Sequence, residues 1–351
     1  MDMTFTPNLP GFVLHLNKEA YVQTIFAIIF ILINNKQYFF TVSKNSFMAN
    51  IGFIGLGIMG KPMAWHLLQS EHTVYLHTRS GVPDDLVSSG GIACATPMEL
   101  AQHADIIIMM LPDTPDVETV LFGDSGVVTG LLAESSQPVT RRVIIDMSTI
   151  SPLATRTFAS KINELNHDYV DAPVSGGDIG AQKAALTIMV GAEKEVFDRI
   201  KPVLELMGKQ VTLIGGIGSG QICKIANQII VSLTIEAVGE ALLFVSRAGA
   251  DPQKVRQALM GGFAGSRVLE VHGERMIERC FDPGFKIELQ QKDLDIVLAS
   301  ASTLGIALPN TATVNALYNA CIAHGGAKWD NSAIVKMLEK LANHEITKHN
   351  D

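Results

Sequence analysis

The 351-residue chain is 47% hydrophobic and 18% charged, an ordinary globular composition with enough apolar material for a large core and enough length for two domains. Its formal net charge of -8 comes without any block of lysine and arginine, which argues against nucleic acid as a main partner, because phosphate binding needs clustered positive charge. The four cysteines, Cys94, Cys223, Cys280 and Cys321, are scattered, with no C-x-x-C pair and no His/Cys cluster at metal-ligand spacing; a reduced, cytoplasmic compartment and no metal fit that pattern best.

Near the start, "YVQTIFAIIFILI" (Tyr21 to Ile33) is strongly apolar but shorter than the roughly 20 residues that span a bilayer. No small-x-small cleavage site follows it. Residues 1–47 are therefore read as an extension outside the folded core, as an upstream start codon would produce, with a membrane anchor as the alternative. From Met48 short apolar runs alternate with helical patterns. "NIGFIG", "HTVYLHT", "ADIIIMML", "RVIIDMS", "DYVDAPV" and "ALTIMVG" read as strands, and the continuous apolar ones are of the kind buried in a parallel sheet. This predicts a doubly wound α/β domain over residues 48–213. "AESSQPVTRR" (Ala133 to Arg142) reads as a surface loop. Beyond Gly220 helical periods dominate, predicting an all-α domain over residues 214–346. Gln221 to Ala248 reads as one long helix, apolar nearly all round and therefore buried, between domains or between subunits. Asp251-Pro252 restarts a helix, with Asp as N-cap and Pro in the first turn.

Chemistry concentrates in a few stretches. Gly55-x-Gly57-x-x-Gly60 follows a strand and opens a helix. The first glycine permits a tight turn, the second lets the backbone approach a pyrophosphate, and the third allows close helix–strand packing. Alone the motif is weak and would equally be a plain tight turn; its strand–turn–helix context favours dinucleotide binding. After the second strand the chain reads His77-Thr78-Arg79-Ser80, with no acid before Asp84, which tilts the choice between NADH and NADPH toward NADPH; otherwise Arg79 stacks on adenine or lies in solvent. Ser175-Gly176-Gly177 offers a hydroxyl and backbone N–H groups in one turn, a nest suited to a carboxylate, or else only a structural glycine turn. Ser148 and Thr149 stand at a strand end, where cofactors lie in such folds, unless they cap the helix after Pro152. Lys224 sits within an apolar helix, with Asn227 and Gln228 three and four positions on, on the same face. Three polar groups on one side suggest a polar pocket where a lysine alone would be taken as snorkelling. Lys292 and Asp293 are a second candidate pair for that cleft, or else an exposed ion pair worth little.

Together "GFIGLGIMGKPMAWHL", "MLPDTPDVETVLFG", "DMSTISP", "DAPVSGG", "GSGQICKIANQ" and "FDPGFKIELQQKDLD" resemble the β-hydroxyacid dehydrogenase family, which includes the 3-hydroxyisobutyrate dehydrogenases, over essentially all of Met48 to Ile346. The resemblance implies a Rossmann-like domain followed by an all-α domain. It implies Lys224 as the catalytic lysine and Ser175, Gly176 and Gly177 as the turn for the substrate carboxylate. Cofactor contacts are implied at Gly55, Leu56, Gly57, Ile58, Met59, Gly60, Leu111, Pro112, Thr149 and Lys292. Many members carry asparagine four residues after the lysine; here that place is Gln228, with Asn227 before it, so either is a candidate substrate contact. "KIANQIIV", "GGFAGSRVLEVHGERM" and "LPNTAT" are most similar to the branch acting on tartronate semialdehyde. The implied activity is reversible, NAD(P)H-linked reduction of a small carboxylate-bearing aldehyde to a hydroxyacid, with Lys224 as general acid/base, in a homodimer or homotetramer. A catalytically silent dinucleotide-binding sensor is the alternative of a different class, against which Lys224 argues.

Overall fold

The computed structural model describes residues 3–6, 14–16, 41–42, 48–133 and 141–346. The apolar run Tyr21 to Ile33 and most of the loop Ala133 to Arg142 lie outside the described residues. Met1–Ala49 is a compact unit of its own, in which β1 (Met3–Thr6), β2 (Leu14–Leu16) and β3 (Thr41–Val42) pair as a small antiparallel sheet.

The second unit, Asn50–Asp351, begins with a sheet of β4 (Asn50–Ile54), β5 (Thr73–His77), β6 (Ile92–Ala93), β7 (Ile106–Met109), β8 (Val143–Asp146), β9 (Asp168–Asp171), β10 (Val174–Ser175), β11 (Leu186–Gly191) and β12 (Gly208–Gly215). Between the strands lie α1 (Gly60–Leu68), α2 (Asp84–Ser88), α3 (Pro97–His103), α4 (Thr114–Phe122), α5 (Val127–Leu132), α6 (Pro152–Glu164), α7 (Gly177–Gln182) and α8 (Lys194–Leu204). The strand order is β10-β11-β9-β8-β7-β4-β5-β6, with β12 on the free side of β11. Strands β4 to β9 pair in parallel. The chain runs β4-β5-β6 to one side and then crosses to β7-β8-β9 on the other, so the order reverses between β4 and β7. In open α/β sheets the crevice at that reversal is where ligands bind. The whole of Ile106–Met109 is buried, as expected of a strand covered on both faces. One departure from the parallel expectation is that β11 runs antiparallel to β9 and β10, because the chain reverses through α7 between Ser175 and Leu186. A further strand, β12, pairs in parallel with β11 and has no counterpart among the strands expected from the sequence. Its burial alternates as that of an exposed edge strand, and it runs two residues past the expected boundary at Leu213.

The helical half comprises α9 (Ser219–Arg247), α10 (Pro252–Met260), α11 (Arg267–Glu278), α12 (Ile287–Thr303), α13 (Pro309–Ala323), a 3-10 turn at Asn331–Ile334 and α14 (Val335–Ala342). Its core gathers Ile235, Leu242, Leu294, Val314, Tyr318 and Ile334 around α9. Asp251 caps α10 as expected, accepting hydrogen bonds from the N–H groups of Gln253 (2.8 Å) and Lys254 (3.3 Å).

Helix α9 corrects one expectation. It is not buried all round within the chain. Gln221, Lys224, Gln228 and Ser232 form the start of the buried face, while Ile222 (46% exposed), Ile230 (68%) and Phe244 (75%) face outward. Gln221, Gln228 and Ser232 are inside because other side chains and backbone groups satisfy them there. The helix is joined to the sheet at its first turn, where Asp171, at the end of β9, accepts hydrogen bonds from the N–H groups of Gly218 (2.7 Å) and Gln221 (2.8 Å). These are among the backbone donors that a helix start leaves without intrahelical acceptors. The contact is so close that a Cβ on Gly220 would strike the carbonyl oxygen of Met189 and lie 2.8 Å from Asp171 Oδ2. Gly220→Ala is therefore expected to destabilise the fold by roughly 1–3 kcal/mol, the usual cost of overpacking. Denaturant unfolding of the two proteins checks this, and equal midpoints would refute it.

Candidate active site

The glycine-rich turn joins β4 to α1. Gly55 adopts φ +98°, and a side chain there would run into the carbonyl of Met110. A Cβ on Gly60 would strike the carbonyl of Gly55. Both glycines are thus demanded by the protein itself. Gly57 is different: a Cβ there would meet nothing within 4 Å, so its bare backbone borders open space at the start of α1, as an approaching pyrophosphate requires. The residues present fit a dinucleotide.

Ile58, Met59, Leu111, Pro112, Thr149 and Lys292 line one narrow crevice of about 100 Å³ beside this turn. Six positions expected to touch a cofactor are thereby brought together from three segments of the sheet domain and from α12. Leu56 is buried beneath the turn, 8% exposed. Arg79 stands apart beyond the end of β5, its side chain 94% exposed and 4.0 Å from Asp116. Ser148 is fully buried and does not face the crevice. Its hydroxyl accepts from the Leu111 N–H (2.9 Å) and its own N–H donates to Asp146 (3.0 Å), while Ser151, not Ser148, caps α6.

Met59, Met110 and Thr149 are shared with a larger cavity of about 660 Å³. Ser175, Gly176 and Gly177 form one wall, with successive positive φ values of +132° and +61° at the two glycines. Lys224, Asn227 and Gln228 line it from α9. The turn is held toward the nucleotide helix by His66, whose Nε2 lies 3.0 Å from the carbonyls of Ala181 and Gln182. The wall from α11 was not anticipated. Arg267, Val271 and Arg275 line the cavity at four-residue spacing, a helical stripe that was legible in "GSRVLEVHGER". Arg275 pairs with Asp330 (2.8 Å). Burial opposes the charge on Asp330, but the His272 ring 3.6 Å away, hydrogen bonds from Ser332 and the Arg275 guanidinium outweigh it and hold the carboxyl well below the usual carboxylate range.

Residues 50–215 match the sequence model described as the NAD binding domain of 6-phosphogluconate dehydrogenase. Residues 218–338 match that described as the NAD-binding domain of NADP-dependent 3-hydroxyisobutyrate dehydrogenase. The 2-hydroxy-3-oxopropionate reductase of Escherichia coli is 56% identical over 84% of this chain and 99% of its own length. The chain belongs to the 3-hydroxyisobutyrate dehydrogenase family. It is an NAD(P)-dependent oxidoreductase, and its cofactor is a nicotinamide dinucleotide. The 2-(hydroxymethyl)glutarate dehydrogenase of Eubacterium barkeri is 37% identical over 83% of this chain and 95% of its own. Among solved structures, the 3-hydroxyisobutyrate dehydrogenase of Mycobacterium tuberculosis with L-serine superposes with a TM-score of 0.73 at 28% identity, covering 83% of this chain and 99% of that one.

Within this dehydrogenase the two domains meet at a charged seam. Lys292 Nζ donates to the carbonyl of Thr149 (2.6 Å) and pairs with Asp293 (2.8 Å). Asp293 in turn accepts from Gln228 Nε2 (2.6 Å), and Gln228 Oε1 accepts from Asn227 Nδ2 (2.8 Å). Both ends of the Gln228 amide are thus engaged by the protein, which makes it a brace for Asp293. Lys224 is 7% exposed. Burial lowers its ammonium to about 8, opposed by the charge of Asp293 and assisted by that of Lys292. Replacing Asp293 by Asn removes the one of these influences that favours the charged form, so the Lys224 titration should move below that of the parent. Carbon-13 NMR of the reductively methylated lysines reads this directly, and an unmoved titration would contradict it.

Proposed function

We propose that this dehydrogenase reversibly reduces tartronate semialdehyde (2-hydroxy-3-oxopropanoate) to glycerate, with Lys224 as general acid in reduction and general base in oxidation. The observation that carries the reading is a buried, titratable ammonium in the same cavity as a glycine turn suited to a carboxylate. The similarity to the Escherichia coli reductase supports the choice of substrate. The nicotinamide dinucleotide, when bound, supplies the hydride. It would be held by the turn Gly55 to Gly60 and by Leu111, Pro112, Thr149 and Lys292.

What the chain's own side chains do follows from charge. Backbone N–H groups at Ser175 to Gly177 hold the substrate carboxylate. Of the two amides lining the cavity, Gln228 is held to Asp293 and Asn227 is joined to Gln228 through Nδ2, which supports Asn227 as the substrate contact. As the aldehyde carbon is reduced, negative charge develops on its oxygen, and Lys224 Nζ donates a proton to it. Such general acid catalysis contributes about 10²–10⁴-fold. In the reverse direction the neutral amine removes the hydroxyl proton. A pKa near the working pH serves both directions. The reduction rate should therefore be full below a pH of about 8 and fall as pH rises through it, while the oxidation rate rises over the same range.

Similarity supports a second reading within the class: the 2-(hydroxymethyl)glutarate dehydrogenase of Eubacterium barkeri is 37% identical to this chain, so 3-hydroxyisobutyrate or another short β-hydroxyacid is the runner-up substrate. We further infer NADPH as the preferred cofactor, from Arg79 and the absence of an acid beside it. A homodimer or homotetramer is supported by the exposed Ile222, Ile230 and Phe244 on α9; a monomeric mass by light scattering would remove it. The four free cysteines support a reducing, cytoplasmic setting, which cell fractionation tests.

One kinetic panel tests the central reading: tartronate, methylmalonate and succinate semialdehydes, each with NADH and NADPH, on the parent, Lys224→Ala and Arg79→Ala. Lys224→Ala should lose at least 10²-fold in kcat while still binding cofactor; near-parental turnover would sink the assignment. Arg79→Ala should raise the KM for NADPH and leave that for NADH unchanged.

A further inference from the structure

Gln221 lies one helical turn before Lys224, on the same face of α9, and is fully buried. It belongs to neither cavity wall. Its backbone N–H is held by Asp171 at the end of β9 (2.8 Å). Its side-chain amide reaches the segment that follows β8: Nε2 donates to the carbonyl of Ser148 (2.8 Å), and Oε1 accepts from the N–H of Ile150 (3.2 Å). One amide thus grips the two residues flanking Thr149. The carbonyl of Thr149 itself is gripped from the other side by Lys292. Thr149 is also one of the residues that line both the narrow crevice and the large cavity. From α9, the hydrogen bonds to that shared wall come from this one side chain, beside the joint that Asp171 makes with the same helical turn.

We propose that Gln221 is a positioning residue, whose amide fixes the Thr149 wall at the spacing from Lys224 that joint delivery of hydride and proton requires. The proposal rests on the reading of Lys224 as the proton donor. No other side chain of this size does the work equally. Leucine would leave the buried Ser148 carbonyl and Ile150 N–H without partners, which is costly in a dry site. Asparagine, one methylene shorter, cannot reach as far. An ionised glutamate would accept from Ile150 but present a second acceptor to the Ser148 carbonyl. It would do so among Asp171 on β9, Asp146 on β8, Arg156 on α6, and the lysines Lys224 and Lys292. A protonated glutamate, by contrast, has one donor and one acceptor in the places where the amide has them.

That contrast provides the test. The full-length enzyme is assayed with whichever semialdehyde and cofactor the parent uses best, alongside Gln221→Leu, Gln221→Glu and Lys224→Ala. Gln221→Leu should lose about 10²-fold in kcat, the scale of a misplacement near 1 Å, with KM for the aldehyde and Kd for the cofactor changed by less than about threefold. Gln221→Glu should approach parental kcat at low pH and lose it as the pH rises, through a descending limb below that of the parent, because burial among acceptors raises the introduced carboxyl above its ordinary value near ~4.3. Parental kcat in Gln221→Leu, or a Gln221→Glu profile that overlays the parent's, would overturn the proposal. If Gln221→Leu fails to fold, the pH profile of Gln221→Glu decides alone. Full activity in Lys224→Ala would instead defeat the reading beneath it, so the two failures are told apart.

Discussion

A carboxylate placed at the start of a helix ties this site together. Asp171 ends a central strand and accepts hydrogen bonds from the first turn of α9, where orphan N–H groups and the positive end of the helix dipole favour a negative charge. Burial works against that charge and raises the Asp171 carboxyl to about 6, while the backbone N–H groups of Gly218 and Gln221 pull it back. The joint leaves no room for a side chain at Gly220. With the first turn fixed to the sheet, the helix can only deliver Lys224 to one place, one turn further along. The glycines and the aspartate that frame the joint are therefore as much a part of the site as the lysine.

The same joint explains why α9 is built inside out. Its first buried residues are Gln221, Lys224, Gln228 and Ser232, an expensive set to withdraw from water. Three of them are hydrogen-bonded, and the Lys224 ammonium has the charge of Asp293 in its favour. Gln221 bonds the backbone after β8, Gln228 bonds Asp293, and Ser232 accepts from Gln290 (2.7 Å). The partners come from the sheet domain and from α12, so the two halves of the unit are held together along a polar seam and not only by apolar packing. The apolar residues displaced from that seam, Ile222 and Ile230 among them, are left on the outer face.

Much of this was legible in the sequence. Local signals sufficed for the glycine-rich turn, for the apolar strands, for the cap at Asp251 and for the placing of Lys224, Asn227 and Gln228 on one helical face. Each depends on neighbours within a few residues. What was not legible depends on distance along the chain. Asp171 finds its partners 47 and 50 residues away, and Gln221 reaches back 73 residues to Ser148. No periodicity reports such pairs. A usable hint did exist: an aspartate closing the run "DYVD", buried at every position, must have a hydrogen-bonding partner. Within the chain, α9 buries a polar start and turns Ile222, Ile230 and Phe244 outward. Apolar composition all round implies a buried helix only when nothing polar needs the interior more.

The residue that discriminates between substrates is the least legible of all, and the geometry shows why. The class of chemistry needs only a proton donor, a carboxylate nest and a nicotinamide within reach, and those features lie in a few contiguous motifs. A methyl and a hydroxyl on the carbon next to the aldehyde differ by interactions with whatever lines the far wall. Here α11 supplies one wall of the cavity, bordered by Arg267, Val271 and Arg275 more than forty residues beyond Lys224. A hydrophobic pocket separates such substrates by only about 1–3 kcal/mol, whereas a site that hydrogen-bonds a hydroxyl rejects the analogue lacking it far more strongly. The all-α half thus adds the wall of Arg267, Val271 and Arg275 to a cavity whose other walls include the Ser175 to Gly177 turn and the first turns of α9.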